Sequence, residues 1–170
     1  MNIEIERKFL VRGDDWRKFT VSSSEIRQVY LDANPKVSIR VRIRDSAKAT
    51  LTLKSSPSAL RRLELEYPIP TFEAEALMPL RQGTIVEKTR HIIPCGEHAW
   101  EVDEFSGAND GLVIAEIELP SEHHPIEPPA WIGPEVTGQK QYYNGSLAMR
   151  PFSQWAHADH RATTEEPVMR

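Results

Sequence analysis

Short segments in which apolar and charged residues alternate dominate the chain, and a period of two is that of a β-strand with one buried face. The clearest example is the segment 36–45, where Arg40, Arg42 and Arg44 alternate with apolar residues. Turn residues separate the segments, which favours a mostly antiparallel sheet. Eight strands are predicted in this way, at residues 2–11, 26–32, 36–45, 49–55, 61–69, 85–93, 98–105 and 112–119.

Three helices are predicted to flank this sheet. Residues 14–19 form a short helix, and Thr71 can cap a second helix over residues 72–81. A third helix covers residues 140–149 and stops at Pro151, because proline does not continue a helix. The fold class predicted from these elements is α+β.

The length of 170 residues fits one domain with its own core. We predict a single domain at residues 1–155, with a proline-rich, irregular connection at 120–134. Residues 156–170 are predicted to be a flexible tail. No repeat of solenoid length and no domain boundary is visible in the sequence.

Each predicted strand has one apolar and one charged face, which leaves two architectures open. In the first, an open sheet turns its charged face to water, where an ion pair contributes only about 0–1 kcal/mol. In the second, an eight-stranded antiparallel β-barrel with flanking helices encloses the charged faces and holds one small ligand. Arg40, Arg42 and Arg44 favour the barrel, because like charges on one face repel unless an anion lies among them.

Acids and bases share the charged faces. Glu4, Glu6 and Lys8 stand two apart in the first strand, so they lie on one face of it. Carboxylates bind hard divalent cations, and guanidinium groups match phosphate oxygens, so the two sets together fit a metal-assisted triphosphate site. Later strands repeat the spacing with the acids Glu64, Glu66, Glu101, Asp103, Glu116 and Glu118 and the bases Arg40, Arg42, Lys54, Arg62, Lys88 and Arg90.

Composition narrows the function classes. The formal net charge of −4 disfavours a general nucleic-acid-binding protein. The single cysteine, Cys95, cannot form an internal disulfide, which favours the reducing cytoplasm as the location. We expect no membrane association, since no secretory signal pattern is visible and no apolar run approaches the roughly 20 residues that span a bilayer.

An ordered set of motifs extends from residue 3 to about 155. Its members are Glu4-Ile5-Glu6-Arg7-Lys8, Ser38-Ile-Arg-Val-Arg42, Leu51-Thr-Leu-Lys54, Glu64-Leu-Glu66, Glu87-Lys-Thr-Arg90, Trp100-Glu-Val-Asp103, residues 111–119 and residues 131–144. The set resembles the CYTH superfamily, the triphosphate tunnel metalloenzymes, whose ExExK signature matches Glu4, Glu6 and Lys8. One signature alone is a weak indication, whereas the ordered set is specific.

The resemblance implies an eight-stranded antiparallel tunnel, a Mg²⁺ or Mn²⁺ cofactor and a small-molecule triphosphate substrate. The implied metal ligands are Glu4, Glu6, Glu116 and Glu118. The implied phosphate contacts are Lys8, Arg40, Arg42, Lys54, Lys88 and Arg90, with Lys140 closing one tunnel mouth. A second metal, or water and the basic residues, would be held by Glu64, Glu66, Glu101 and Asp103. Arg62 is balanced between a phosphate contact and a salt bridge within the barrel.

Two residues are implied in the chemical step. Lys8 would stabilise the transition state. Tyr30 would orient or deprotonate the attacking water, and the second role requires nearby cations that lower its pKa from about 10.

The implied function is metal-dependent hydrolysis of inorganic tripolyphosphate, or of a nucleoside or thiamine triphosphate, at the terminal phosphate by a monomer or homodimer. The alternatives are a thiamine-triphosphatase, a class IV-type adenylyl cyclase and a module that binds polyphosphate or a nucleotide without turnover. Val29 replaces a glycine of the family and Gln141 an arginine, which keeps the binding module open. The sequence shows no nucleobase pocket, which disfavours the cyclase.

Some residues receive structural interpretations instead. Glu104 is expected to be solvated, because it lies on the strand face opposite the other acids of its segment. His123 and His124 lack the further ligands of a zinc site and are expected on the surface. Packing roles are expected for Trp16, Trp100 and Trp131.

Overall fold

The computed structural model describes residues 5–34, 36–55 and 63–155, and their main element is a nine-stranded antiparallel sheet. The strand order is β5-β4-β3-β2-β6-β7-β8-β1-β9. All eight predicted strands are present, so the mostly antiparallel α+β class is confirmed. The strands are β1 (Ile5–Val11), β2 (Ser22–Ala33), β3 (Val37–Arg44), β4 (Lys48–Ser55), β5 (Glu64–Ile69), β6 (Gln82–Cys95), β7 (His98–Ser106), β8 (Val113–Leu119) and β9 (Ile132–Glu135).

The sheet differs from the predicted eight-stranded closed barrel in two respects. Part of the connection that was predicted to be irregular forms β9, which pairs with β1 at Phe9 and Val11. Within the described residues the outer strands β5 and β9 do not pair with each other, so the prediction of a closed barrel is wrong for this structure. Alternation does not reveal β9, because it has four residues and contains Pro134, which lacks an N–H and is tolerated at a sheet edge.

The second helix is shorter than predicted. Residues 72–81 divide between α1 (Thr71–Leu77) and a 3₁₀ turn at Met78–Leu80. The turn contains Pro79, whose missing N–H prevents the α-helix from continuing. Thr71 is the first helical residue and not its cap, so the predicted capping role is wrong.

The other two predicted helices are also short. The first is a 3₁₀ turn at Asp15–Phe19, and the last divides into a 3₁₀ turn at Lys140–Tyr142 and α2 (Asn144–Met149). Within the described residues, no helix has the length and apolar character that crossing a membrane requires. Residues 156–170, the predicted tail, lie outside the described residues. Further 3₁₀ turns cover Gly107–Asn109 and Phe152–Gln154.

Two apolar cores lie on the face of the sheet opposite the charged side chains. In one, Trp16, Trp100 and Trp131 pack in a cluster with Phe9, which confirms the tryptophans as packing residues. In the other, α1 covers β3 and β4 and buries Ala74 completely. These layers leave the opposite face of the sheet to the charged residues.

The charged face becomes apolar at one end, where α2 packs against it. Leu147 of α2 is buried in a cluster with Val86 and Phe105. Gly83 permits the close approach, because a Cβ there would collide with the carbonyl oxygen of Ala148. The helix α2 therefore closes one end of the charged face.

Candidate active site

The charged face lines a cavity of about 1230 Å³, to which all nine strands and α2 contribute side chains. The charged faces therefore enclose a shared space, as the second architecture requires, although the sheet around it is open. Of the residues predicted for the site, the lining contains Glu6, Lys8, Tyr30, Arg40, Arg42, Lys54, Glu64, Glu66, Arg90, Glu101, Glu116 and Glu118.

Three predicted site residues that the structure describes are absent from the lining, and two more fall outside the described residues. Lys88 and Asp103 are fully buried and are not among the lining residues. Lys140 is exposed and is also absent from the lining, so the structure does not support its predicted place at a mouth of the cavity. Glu4 and Arg62 fall outside the described residues.

Carboxylates on β1, β7 and β8 form a group that we call the carboxylate wall (Glu6, Glu101, Asp103, Glu116 and Glu118). All except the buried Asp103 line the cavity. Lys8 neutralises part of it, since its Nζ lies 2.7 Å from Glu116 Oε1 and 3.1 Å from Glu6 Oε1. Burial alone would lower the pKa of Lys8, but the charges of Glu116 and Glu6 raise it above its usual value. Burial would likewise raise the pKa of Glu6, yet Lys8 brings it below its usual value. Lys8 and Glu6 are therefore both charged at neutral pH.

Asp103 holds two further cations. It accepts two hydrogen bonds from Arg90, with Nε 2.7 Å from Oδ1 and Nη2 2.8 Å from Oδ2. Lys88 Nζ lies 2.6 Å from Asp103 Oδ2 and 3.0 Å from Oδ1 of Asn144, which belongs to α2. Against the effect of burial, Lys88 and Arg90 hold the pKa of Asp103 well below its usual range. Burial lowers the pKa of Lys88 to about 8, so at neutral pH it is still protonated and paired.

β3 and β4 supply a second group, which we call the basic wall (Arg40, Arg42 and Lys54). Burial lowers the pKa of Arg42 to about 10, and the charges of Arg40 and Arg90 act in the same direction. Arg42 Nε donates to Gln28 Oε1 at 2.9 Å, and within the described residues no carboxylate pairs with Arg42. Arg40 Nε is shielded from solvent and also lacks an acceptor among them. The basic wall therefore holds positive charge that its neighbours do not fully offset.

The edge strand β5 brings two acids to this wall. Lys54 Nζ lies 3.0 Å from Glu64 Oε2, and Arg40 Nη2 lies 3.6 Å from Glu66 Oε2. These contacts agree with the interpretation in which both acids orient basic residues. Their alternative role at a second metal stays a prediction.

Tyr30 is buried at the end of the cavity near α2, where its hydroxyl oxygen accepts a hydrogen bond from Gln28 Nε2 at 3.2 Å. Burial raises its pKa, and this effect outweighs the opposing charges of Arg40 and Arg42. The shift is opposite to the one that a general base requires. The structure therefore favours a protonated Tyr30 that orients water over one that deprotonates it.

The sequence model of the CYTH domain family matches residues 2–151 of the chain. The chain belongs to the CYTH domain family. It is 43% identical over 153 residues to an inorganic triphosphatase of Acetivibrio thermocellus, an alignment that covers 89% of this chain and 97% of that relative.

A second relative of this CYTH protein is an inorganic triphosphatase of Nitrosomonas europaea, 37% identical over 150 residues, with coverage of 86% of this chain and 97% of the relative. Among solved structures, the crystal structure of an inorganic triphosphatase is similar, with a TM-score of 0.68 and 34% identity. That likeness covers 88% of this chain and 96% of the other. The similarity therefore extends over the strands that carry both walls.

The pair Glu6 and Glu118 is the best candidate in this CYTH domain for holding a divalent cation. The two residues are direct partners in the β1–β8 pairing and both line the cavity. Lys8 offsets part of the charge of Glu6, and a cation between the two carboxylates would offset the rest. Among the described residues, no three acidic, histidine or cysteine side chains are grouped as a complete metal site. Mg²⁺ commonly binds through one or two carboxylates and keeps several waters, so two carboxylates fit it.

Several uncharged polar residues of the site were absent from the prediction. Gln28 and Thr52 are buried and share the period-two register of Tyr30 and Lys54, a signal that would have found them. Residues from α2 and its flanks gave no such signal, because their place depends on how the end of the chain folds back. Those that line the cavity are Tyr143, Asn144, Gly145, Ser146, Met149 and Arg150.

Two polar residues on the outer face make contacts that the sequence did not predict. Glu104 lies on the outer face as expected, with 35% of its side chain exposed, and it accepts hydrogen bonds from Arg17 Nη1 at 2.9 Å and Nη2 at 2.5 Å. His124 is half-buried, and its Nε2 lies 3.1 Å from His98 Nε2, whereas His123 is exposed. Both interactions connect neighbouring segments and lie outside the cavity lining.

Proposed function

We propose that this CYTH domain hydrolyses inorganic tripolyphosphate, or a related triphosphate, at its terminal phosphate with the help of Mg²⁺ or Mn²⁺. The observation that carries the proposal is a single cavity lined by an incompletely neutralised basic wall and by a carboxylate wall. Two relatives named as inorganic triphosphatases, 43% and 37% identical, support it.

The basic wall would bind the phosphate chain. Arg40 and Arg42 stand two apart on β3. Burial and the charge of Arg40 lower the pKa of Arg42, and an anion between the two residues would relieve the repulsion. Arg40 Nε lacks an acceptor in the described residues, and a buried donor without an acceptor costs about 1–3 kcal/mol. Because Arg40 lines the cavity, a phosphate oxygen there would accept a charge-assisted hydrogen bond from its guanidinium.

The carboxylate wall would hold the metal. Glu6 and Glu118 fit the role by their pairing, and Glu116 and the undescribed Glu4 complete the proposed set. A bound divalent ion would compensate the negative charge that develops on the phosphate oxygens. The choice between Mg²⁺ and Mn²⁺ is part of the proposal.

In the chemical step, a water oxygen forms a bond to the terminal phosphorus, and the bond from this phosphorus to the bridging oxygen breaks. Tripolyphosphate then yields orthophosphate and pyrophosphate, and the proton of the water passes to solvent. Lys8 and the basic wall would stabilise the negative charge of the transition state. Tyr30, kept protonated by burial, would orient the water by donating its own hydrogen bond.

The test is the release of phosphate from tripolyphosphate, measured with Mg²⁺ and Mn²⁺ separately and after treatment with EDTA. We expect release with metal and only background after EDTA. Glu6→Gln should be at least about 100-fold slower, since it removes a charge from the proposed metal pair. Glu104→Gln makes the same change on the outer face and should keep wild-type activity. Equal rates for the wild type and Glu6→Gln would show that the proposal is wrong.

A substrate panel separates the alternatives. With ATP, cyclic AMP and pyrophosphate would indicate the adenylyl cyclase, whereas ADP and phosphate indicate hydrolysis. A strong preference for thiamine triphosphate would indicate that substrate. Tight, metal-dependent binding without phosphate release over hours would indicate the binding module. The cytoplasmic location, the monomer or homodimer and the single domain at residues 1–155 stay predictions.

A further inference from the structure

Four polar side chains on the cavity face form a row across β2, β3, β4 and β5. The strand register pairs Tyr30 with Arg40, Arg40 with Thr52, and Thr52 with Glu66. All four residues line the cavity. The row therefore connects the buried end of the site to the free edge of the sheet.

Thr52 lies between the two charged members of this row, Arg40 and Glu66, and it is almost completely buried, with 1% exposed. Its Oγ1 accepts a hydrogen bond from Arg40 Nη2 at 3.2 Å and donates one to Glu66 Oε2 at 3.1 Å. The direct distance from Arg40 Nη2 to Glu66 Oε2 is longer, at 3.6 Å. A hydroxyl has one proton to donate, so donation to the carboxylate directs its lone pairs toward the guanidinium.

The guanidinium of Arg40 is thus held on one side by Thr52, while 14% of the Arg40 side chain stays exposed and the residue lines the cavity. Nη2 is engaged by Thr52, and Nε has no acceptor among the residues that the structure describes. A guanidinium binds phosphate well only when its planar donors are correctly directed. Fixing one side of the group sets the direction of the other.

We propose that Thr52 is a positioning residue that, backed by Glu66, holds Arg40 in the orientation in which it binds a phosphate of the substrate; this inference rests on the proposed function. Thr52 acts through Arg40 and does not touch the reacting atoms. Glu66 acts through Thr52 and is not a ligand of a second metal. The row also couples the edge strand β5 to substrate binding.

Three substitutions test the role of the hydroxyl. Thr52→Val keeps the shape and removes the hydroxyl, and it should raise KM for tripolyphosphate about 10-fold while kcat changes less than about threefold. Thr52→Ser keeps the hydroxyl and should restore KM to within about twofold of the wild type. Thr89→Val makes the same substitution on β6, on the sheet face that points away from the cavity, and it should behave as the wild type. An unchanged KM in Thr52→Val, or equal impairment in Thr52→Ser, overturns the inference.

A double-mutant cycle tests the role of Glu66. Glu66→Gln alone should raise KM, whereas in the Thr52→Val background it should add little, because the path to Arg40 is already broken. A Glu66 that ligates a metal would instead give an additive loss that excess Mg²⁺ partly restores. Additive, metal-sensitive losses would therefore contradict the inference.

Calorimetric binding of tripolyphosphate without metal separates this inference from the proposed function. Thr52→Val should bind about 10-fold more weakly than the wild type and Thr52→Ser almost equally well. A wild type that binds but releases no phosphate would contradict the hydrolase and leave the Thr52 inference to be judged by these affinities. An active wild type with unchanged affinity in Thr52→Val would contradict the Thr52 inference alone. Melting curves of all variants confirm that each is folded.

Discussion

The two walls of the cavity differ in how their charged side chains are paired. In the carboxylate wall, cations of the chain itself pair with the acids: Lys8 with Glu6 and Glu116, and Lys88 and Arg90 with Asp103. In the basic wall, Arg42 has only the amide of Gln28 within hydrogen-bond distance in the described residues. Asp103 and Glu116 are thus paired with cations of the chain, whereas Arg42 has no acid partner among the described residues.

This difference indicates which part of the cavity is built for stability and which for a ligand. A buried ion pair needs both partners, because one left alone is a costly uncompensated charge. A cation such as Arg42, which has no acid partner among the described residues, lowers the stability of the empty protein, and an anion that binds beside it relieves this cost. The basic wall is therefore the part of the site that has the most to gain from a phosphate chain.

The largest effect on stability is expected from Asp103→Asn in the carboxylate wall. The change leaves Lys88 and Arg90 without their shared carboxylate, so the free energy of unfolding should fall by about 3–5 kcal/mol. Glu104→Gln is the matched control at the next residue on the exposed side, and it should cost less than about 1 kcal/mol. Urea unfolding of both variants makes the comparison. Similar losses at the two positions would contradict the contrast between buried and exposed pairs.

In the basic wall, Arg42→Gln should instead spare stability and reduce activity. Because it removes a crowded cation, we expect the melting temperature to stay or rise, while kcat/KM for tripolyphosphate falls about 100-fold. Arg27→Gln is the control, since Arg27 pairs with Glu75 outside the cavity lining. Steady-state kinetics and melting curves provide the measurements. A clear loss of stability in Arg42→Gln would show that the basic wall is already neutralised.

The smallest expected effect is a fall in the free energy of unfolding at acidic pH. The pKa of Asp103 is lower in the folded protein than its usual value near 4, so its contribution is present above that pH and is lost as the pH falls below it. One such group changes the free energy of unfolding by at most about 1.4 kcal/mol per pH unit. Urea unfolding at pH 5 and pH 3 measures the loss, which should persist in Glu104→Gln. An equal free energy of unfolding at both pH values would contradict this assignment.

Alternation along single strands was enough to predict most of both walls. Arg40, Arg42 and Glu116 lie on the cavity face because the period of two is a local property of an extended backbone. Their roles as substrate and metal contacts stay predictions. Lys88 has the same register and is nevertheless fully buried under α2, which a local pattern cannot indicate.

The features that the sequence did not predict depend on contacts between distant segments. β9 forms because residues 132–135 meet β1, and the sheet stays open because β5 and β9 do not pair within the described residues. The pKa of Tyr30 rises because α2 helps to bury it, which outweighs the cations that the sequence places nearby. Charge patterns on strands therefore predict the chemistry of the lining better than its shape.

The pairing of Ile5 with Leu119 means that the carboxylate wall joins the two ends of the sheet-forming chain, whereas β2 to β5 pair with their neighbours in sequence. Contacts of low sequence separation cost less loop entropy and form sooner during folding. During synthesis, β3 and β4 also leave the ribosome well before β8. The nascent chain therefore exposes the cations of the basic wall before β8, which completes the site, has been synthesised.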